Sequence, residues 1–251
     1  MERVVVFGSG GGLGSAICNA FSLAGKFVIG IDVDLEAARH AVREQGDFAM
    51  ALQCDVSDQK AVQAIAERIW EDDPVKAVVY APGIVFTEDL YRIDWDNYRR
   101  LMSVNLDGAF YCASAFSGLM CSHQQSGSFV FFSSAAGKRG EPGASAYCAS
   151  KFGLIGMVQS LAAEIAKDGI RANAICPGNV DTPMLIQVAR QISERENKTF
   201  KAVKQELVEE SFSGRLVTSE EVANACVWLC SDAASGVTGV SLSVDGGMLL
   251  G

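Results

Sequence analysis

At 251 residues, of which 49% are hydrophobic and 20% charged, the chain has enough material for one α/β domain whose core needs no disulfide or metal staple. Its formal net charge is −9 and its Lys and Arg residues are scattered, which excludes nucleic acid and anionic membrane as main partners, since both demand a clustered basic face. No apolar run approaches membrane-spanning length and no long apolar segment follows Met1, so a reducing cytoplasm is the expected compartment.

Taken in chain order, strand-like apolar runs fall at Arg3–Phe7, 27–31, 48–53, 77–80, 128–132, 171–175 and 240–244. Amphipathic helical stretches at 35–44, 60–70, 154–167 and 220–229 lie between them. Apolar runs separated by helices imply a parallel sheet buried on both faces, and right-handed crossovers make it doubly wound. The expectation is a Rossmann-type sheet of about seven strands with helices on both faces, in a single domain spanning residues 1–251. One region breaks the rhythm: residues 183–214 turn polar and charged, with no strand signal. Its place after a strand's carboxyl end favours a substrate lid over a disordered loop.

The eight cysteines sit mostly in apolar-patterned segments and form no C-x-x-C pair, so buried thiols are expected. Cys226 and Cys230 share a helix face, but neither His40 nor His123 lies near them in sequence, and no metal site is expected.

The first run closes on Phe7-Gly8-Ser9-Gly10-Gly11-Gly12-Leu13-Gly14. Glycines there let the backbone turn tightly and approach a pyrophosphate, which the following helix N-terminus attracts. A glycine-rich loop alone is equally a flexible turn. Here it lies between a strand and a helix, and Asp32 ends the next strand, a context that favours a dinucleotide. A carboxylate at Asp32 accepts from ribose hydroxyls and repels a 2′-phosphate, so the sequence points to NAD rather than NADP. The competing role for Asp32 or Asp34 is a helix N-cap, and Asp34 is expected to serve as one.

Further along, Tyr147-Cys148-Ala149-Ser150-Lys151 sets a phenol and an ammonium on one helix face. A nearby cation favours the phenolate, which is how a tyrosine of ordinary pKa about 10 becomes a usable acid/base. An isolated Tyr/Lys pair would more often be incidental. Ser134 ends an apolar strand at the sheet's carboxyl edge, where it can donate to a substrate oxygen. Asn105 lies in a long helical pattern, and the nearby Gly108 suggests an irregularity with free backbone carbonyls.

These motifs, in this order from Val4 to Gly247, resemble the short-chain dehydrogenase/reductase family in its short single-domain branch. The family's Thr-Gly-x-x-x-Gly-x-Gly loop resembles residues 7–14, its adenine-holding Asp-Val resembles Asp55-Val56, and its Pro-Gly-x-Val-x-Thr segment resembles Pro177-Gly178-Asn179-Val180-Asp181-Thr182. Its late Asp-Gly-Gly is similar to Asp245-Gly246-Gly247. The resemblance implies a catalytic set of Asn105, Ser134, Tyr147 and Lys151. It also implies a cofactor-binding set of Gly8, Ser9, Gly12, Leu13, Gly14, Asp32, Asp55, Val56, Ala81, Gly83, Tyr147, Lys151, Pro177, Gly178, Val180 and Thr182. The implied reaction is NAD-dependent interconversion of a secondary alcohol and a ketone. In it Tyr147 moves the proton, Lys151 lowers the tyrosine pKa and binds the nicotinamide ribose, Ser134 polarises the oxygen, and Asn105 holds a water leading to solvent. The four-residue Tyr-to-Lys step is that of the family's carbonyl reducers. A homotetramer packed through the helices around 105–120 and 147–167 and through the C-terminal segment is also implied. The alternative is a non-catalytic NAD-binding or scaffold protein on the same fold.

Two positions depart from the family pattern. Phe7 replaces the loop's opening Thr, and Tyr80-Ala81-Pro82-Gly83 replaces Asn-Asn-Ala-Gly. Substrate identity is left to variable segments at 84–94, 135–146 and 184–213, where Lys138 and Arg139 either meet an acidic substrate or belong to a solvated loop.

Overall fold

The computed structural model describes residues 1–250. Seven strands, β1 (Arg3–Phe7), β2 (Phe27–Asp32), β3 (Ala49–Gln53), β4 (Val75–Tyr80), β5 (Gly127–Phe132), β6 (Ile170–Pro177) and β7 (Ser241–Val244), form one sheet in the order β3-β2-β1-β4-β5-β6-β7. Every neighbouring pair is parallel. The order reverses between β1 and β4, and the crevice at the carboxyl ends of those strands is where a doubly wound sheet takes its ligand.

The apolar runs are continuous because both faces of the sheet are covered. Val5 and Phe7 of β1 join Ile31, Val78, Tyr80 and Phe131 against α3 (Gln59–Asp72), α5 (Gly108–Ser122) and α6 (Ser145–Ile165). Val4 and Val6, one residue out of phase, join Val28, Val79 and Val130 against α1 (Gly12–Leu23) and α9 (Ser219–Cys230). The period of two along each strand thus divides the core into two layers. Arg3 opens β1 as a buried cation, and its guanidinium donates to the carbonyls of Ile69 (3.0 Å) and Asp73 (2.6 Å) at the end of α3.

Helix starts follow capping chemistry. Asp34 caps α2 (Leu35–Val42) by accepting from the Glu36 and Ala37 amides, and Asp94 caps α4 (Trp95–Met102) in the same way. The helical stretch expected over 35–44 ends as α-helix at Val42 and continues as a 3-10 turn. The 154–167 stretch is the rear of a longer helix that starts at Ser145. Residues 183–214, read as a strand-free polar stretch, fold largely into two helices, α7 (Pro183–Glu196) and α8 (Phe200–Glu209). Thr182 with Pro183 and then Thr199 supply their N-terminal signals. Among the described residues no helix is long and apolar enough to cross a membrane.

Candidate active site

The glycine loop is shaped by close backbone approach. Gly8 has φ +74°, and a Cβ there would sit 2.7 Å from the Pro82 nitrogen. A Cβ on Gly14 would fall on the Gly8 carbonyl oxygen, so the helix can pack this near the strand only without one. Gly11 stands at the N-cap of α1 with no side-chain cap, and the first turn holds no acid. Its amides and positive dipole end are thereby left for an anion, which fits the pyrophosphate of a dinucleotide. Asp32 accepts from the Gly10 amide (2.9 Å) and from the Asp34 amide (3.1 Å). Asp34, not Asp32, is the helix cap. Ser9 differs from its neighbours: it is fully buried, its amide donates to Ile31, and its hydroxyl lies beside Gly30 without a partner. It supports the loop from behind.

The two departures from the family pattern meet in space. Phe7 and Tyr80 are tilted ring neighbours with centroids 6.3 Å apart, and the Phe7 carbonyl accepts from the Ala81 amide at 3.1 Å. Tyr80 then donates its hydroxyl to the Val104 carbonyl at 2.5 Å. That carbonyl belongs to a single π-helical turn, Ser103–Asp107, set between α4 and α5. A π-turn shifts the helical hydrogen-bond pattern and makes carbonyls available to outside donors. Gly108 is required beside it, because a Cβ there would fall on the Tyr80 hydroxyl. The irregularity expected near Asn105 is this turn. Burial among aromatic rings keeps the Tyr80 phenol protonated.

Asn105 is fully buried in that turn. Its amide donates to the Ile84 carbonyl (3.0 Å) and the Ser150 hydroxyl (3.1 Å), while its oxygen accepts from the Ile84 amide (2.8 Å). Both N–H groups are therefore spent on tying the loop after β4 to α6. Ser150 in turn donates to the Tyr147 carbonyl at 2.7 Å, so Asn105 braces the turn of helix that carries the tyrosine.

Tyr147 and Lys151 share one face of α6, with the Lys151 ammonium 5.6 Å from the tyrosine ring centroid. Lys151 is buried, donates to the Phe132 carbonyl at 2.7 Å, and is approached by Gly83, whose Cβ would lie 3.4 Å from the ammonium nitrogen. Ser134 follows β5 and accepts from the Ala136 amide (3.2 Å), which leaves its O–H free to donate. Ser134, Tyr147 and Lys151 line one cavity together with Leu13, Ala81, Gly83, Pro177, Gly178, Val180 and Thr182.

Burial dominates the electrostatics of the pair. Burial pushes the Tyr147 phenol up to about 12; the neighbouring Ser134 hydroxyl pulls it down, and Glu141 and Cys148 push it further up. Lys151 does not hold the tyrosine below its ordinary value, because its ammonium is turned to Phe132 and is itself penalised by burial, down to about 8.

The far wall of the cavity is supplied by α7, through Met184, Leu185, Val188 and Ile192. Two polar contacts hold that helix down. Gln191 accepts from the Thr87 amide at 3.1 Å, and the Arg195 guanidinium donates to the Pro142 carbonyl at 3.0 Å. Lys138 and Arg139 are both engaged elsewhere. Lys138 donates to the Ser241 carbonyl (2.7 Å) and the Ser243 hydroxyl (2.9 Å), while Arg139 lies 3.8 Å from Glu141 and 3.6 Å from Glu210. Sequence reasoning missed the Tyr80–Val104 bond, the α7 latches and Glu141. Only the first had a signal, a tyrosine standing where the family pattern has an amide.

Comparison with known proteins identifies the family and the fold. The family profile described as enoyl-(acyl carrier protein) reductase matches residues 8–249. A (3R)-3-hydroxyacyl-CoA dehydrogenase of Homo sapiens is 31% identical, over 98% of this chain and 95% of its own. A galactitol 2-dehydrogenase (L-tagatose-forming) of Cereibacter sphaeroides is 34% identical, over 96% and 92%. The crystal structure of an actinorhodin polyketide ketoreductase variant with NADPH superposes with a TM-score of 0.93 at 28% identity, covering 98% of this chain and 97% of that one. The chain belongs to the short-chain dehydrogenase/reductase family and, with the sheet and cleft of that family, is an oxidoreductase that uses a nicotinamide cofactor to interconvert alcohols and ketones.

Proposed function

We propose that this protein is an NAD-dependent secondary alcohol dehydrogenase in which Tyr147 is the acid/base, Ser134 donates to the substrate oxygen, and Lys151 holds the ribose. The observation that carries the reading is the convergence of Ser134, Tyr147 and Lys151 on one cavity at the carboxyl edge of the sheet. When bound, the nicotinamide supplies the hydride acceptor or donor. The chain's own part is to position and to move a proton. The Ser134 O–H orients the substrate oxygen, the Tyr147 phenol gives up its proton to a carbonyl in reduction, and its phenolate takes the hydroxyl proton from an alcohol in oxidation. Lys151 is held by Phe132 with further N–H groups to offer, and Asn105 fixes the helix turn beneath them.

Pro177, Gly178, Val180 and Thr182 would hold the nicotinamide end. The α1 amides with Gly8, Gly12, Leu13 and Gly14 would hold the pyrophosphate, Asp32 the adenosine ribose, and Asp55-Val56 the adenine. NAD is favoured over NADP because a 2′-phosphate would meet the Asp32 and Asp34 carboxylates. The single domain carries 183–214 as its lid. Exposed Phe110 and Phe152, on α5 and α6, suit the self-association of a homotetramer, which a sizing measurement tests. Eight free cysteines suit a reducing compartment such as the cytoplasm. A purely cofactor-sensing or scaffold protein would have no use for the three convergent side chains.

The test is Tyr147→Phe assayed over a panel of secondary alcohols and ketones. We expect NAD binding to persist and turnover to fall about a thousandfold. Retention of a tenth of native turnover would remove Tyr147 from its role.

A further inference from the structure

The wall of the cavity opposite the cofactor side is apolar, built from Val85, Ala144, Leu185, Val188, Ile192 and Met248. Of the described residues that line the cavity, only Lys151 and Glu141 carry formal charge. Lys151 is committed to Phe132 and to the catalytic group. Glu141 is different: it belongs to the loop between Ser134 and Tyr147, and its side chain is only about a third exposed (34%). Its nearest cation is Arg139 at 3.8 Å, beyond hydrogen-bonding range, and Arg139 is shared with Glu210 at 3.6 Å.

A partly buried carboxylate that lines the same cavity as Ser134 and Tyr147, near enough to push the tyrosine pKa up and without a close donor, is a costly arrangement unless something donates to it. Among the described residues no cation besides Lys151 lines the cavity to meet a substrate acid. Lys138 is bound to β7, and Arg195 is bound to Pro142 and Glu196.

We infer that Glu141 is a specificity residue, selecting substrates that carry a second hydrogen-bond donor, a hydroxyl or an ammonium, close to the carbinol on an otherwise apolar skeleton, and rejecting those with a carboxylate or phosphate there. This rests on the dehydrogenase reading above and narrows its substrate class. A partly buried carboxylate left unpaired by a donor-less substrate lacks a charge-assisted bond, and one facing an anion adds repulsion. Discrimination against a substrate lacking the donor is expected at tenfold to about a hundredfold.

The experiment uses the full chain with NAD and compares kcat/KM for four compounds on one four-carbon skeleton: the plain secondary alcohol, its vicinal diol, the corresponding amino alcohol, and the hydroxy acid. The diol or the amino alcohol should exceed the plain alcohol by about tenfold or more, with the hydroxy acid lowest. Which of the two leads distinguishes a hydroxyl from an ammonium as the donor. In Glu141→Ala the donor-to-plain ratio should collapse toward one, and in Glu141→Gln the hydroxy acid should gain relative to the others. Because the readout is a ratio, a general loss of folding or catalysis does not imitate it. A ratio near one in the native chain, or a ratio that survives Glu141→Ala, overturns the inference while leaving the dehydrogenase reading intact. No turnover of any secondary alcohol or ketone overturns that reading and this inference with it.

Discussion

At the glycine-loop end of the cleft the chain is fixed by backbone against backbone, Gly8 on Pro82 and Gly14 on Gly8, and by the Asp32 carboxylate, which clamps the Gly10 and Asp34 amides. At the substrate end, α7 is held over the cavity by single side-chain contacts, Gln191 to Thr87 and Arg195 to Pro142, and by apolar residues of modest size. Backbone contacts of the first kind admit almost no substitution, since a single added Cβ collides. Contacts of the second kind can be made and broken at a cost of about 1 kcal/mol each. The rigid end is the one proposed to hold the cofactor, and the latched end the one proposed to hold the substrate.

The strongest way to sharpen this contrast is to change the rigid end without distorting it. Asp32→Asn keeps an acceptor for Gly10 and removes the charge. A carboxylate about 4 Å from a phosphate costs on the order of 1–4 kcal/mol, and lost ribose bonds add about 1–3 kcal/mol. The native protein should therefore prefer NAD over NADP by at least about tenfold and up to about a thousandfold in kcat/KM, and the variant should narrow that ratio by about tenfold or more. Equal efficiency with both cofactors in the native protein would reduce Asp32 to a clamp on the loop.

Lys151 marks the seam between the two ends. Its folded value of about 8 lies below the ordinary 10.5. Between those values the unfolded chain binds the proton more tightly than the folded one, so the contribution of Lys151 to stability rises with pH over that window and is lost as pH falls through about 8. Denaturant unfolding at about pH 7.5 and about pH 9.5 should show native protein gaining on the order of 1–2 kcal/mol relative to Lys151→Met. An unchanged difference would mean that the ammonium is not penalised by its burial.

The smallest effect belongs to the latches. Gln191→Ala or Arg195→Ala should raise KM by about three- to tenfold with little change in kcat, as expected when about 0.5–1.5 kcal/mol of lid closure is lost. Hydrogen exchange should quicken in α7 and not in α1. Faster exchange in both would show that the two ends are one cooperative unit.

The sheet was legible in the sequence because strands buried on two faces leave uninterrupted apolar runs, and the phosphate end because its glycines answer a purely local demand. The shared helix face of Tyr147 and Lys151 was legible for the same reason, as the two are one helical turn apart. What escaped depends on which loops meet. Glu141 comes to the cavity only through the turn that returns from Ser134 to α6, and Gln191 finds Thr87 across 104 positions of chain. Nothing local announces either contact. The helices of 183–214 are a nearer miss: Thr182-Pro183 and Thr199 are legible capping signals, outweighed by the polar composition around them. The electrostatics of the pair were not legible, since spacing puts two side chains on one face without fixing where the cation points or how much burial raises the phenol.

Tyr80 has a consequence for how this sequence can change. Its ring packs on Phe7, its hydroxyl fills the space above Gly108, and its proton satisfies Val104. Positions 7, 80 and 108 are therefore epistatic, a unit that drifts together or not at all. Replacing Tyr80 alone by the amide found in the family pattern would strip Phe7 of its ring neighbour and open a gap beside Gly108. Replacing Phe7 alone by a hydroxyl residue would bury an oxygen among aromatic rings. Exchanging Phe7 or Tyr80 alone should cost more than exchanging the two together, because each single change leaves the other side chain without its packing partner.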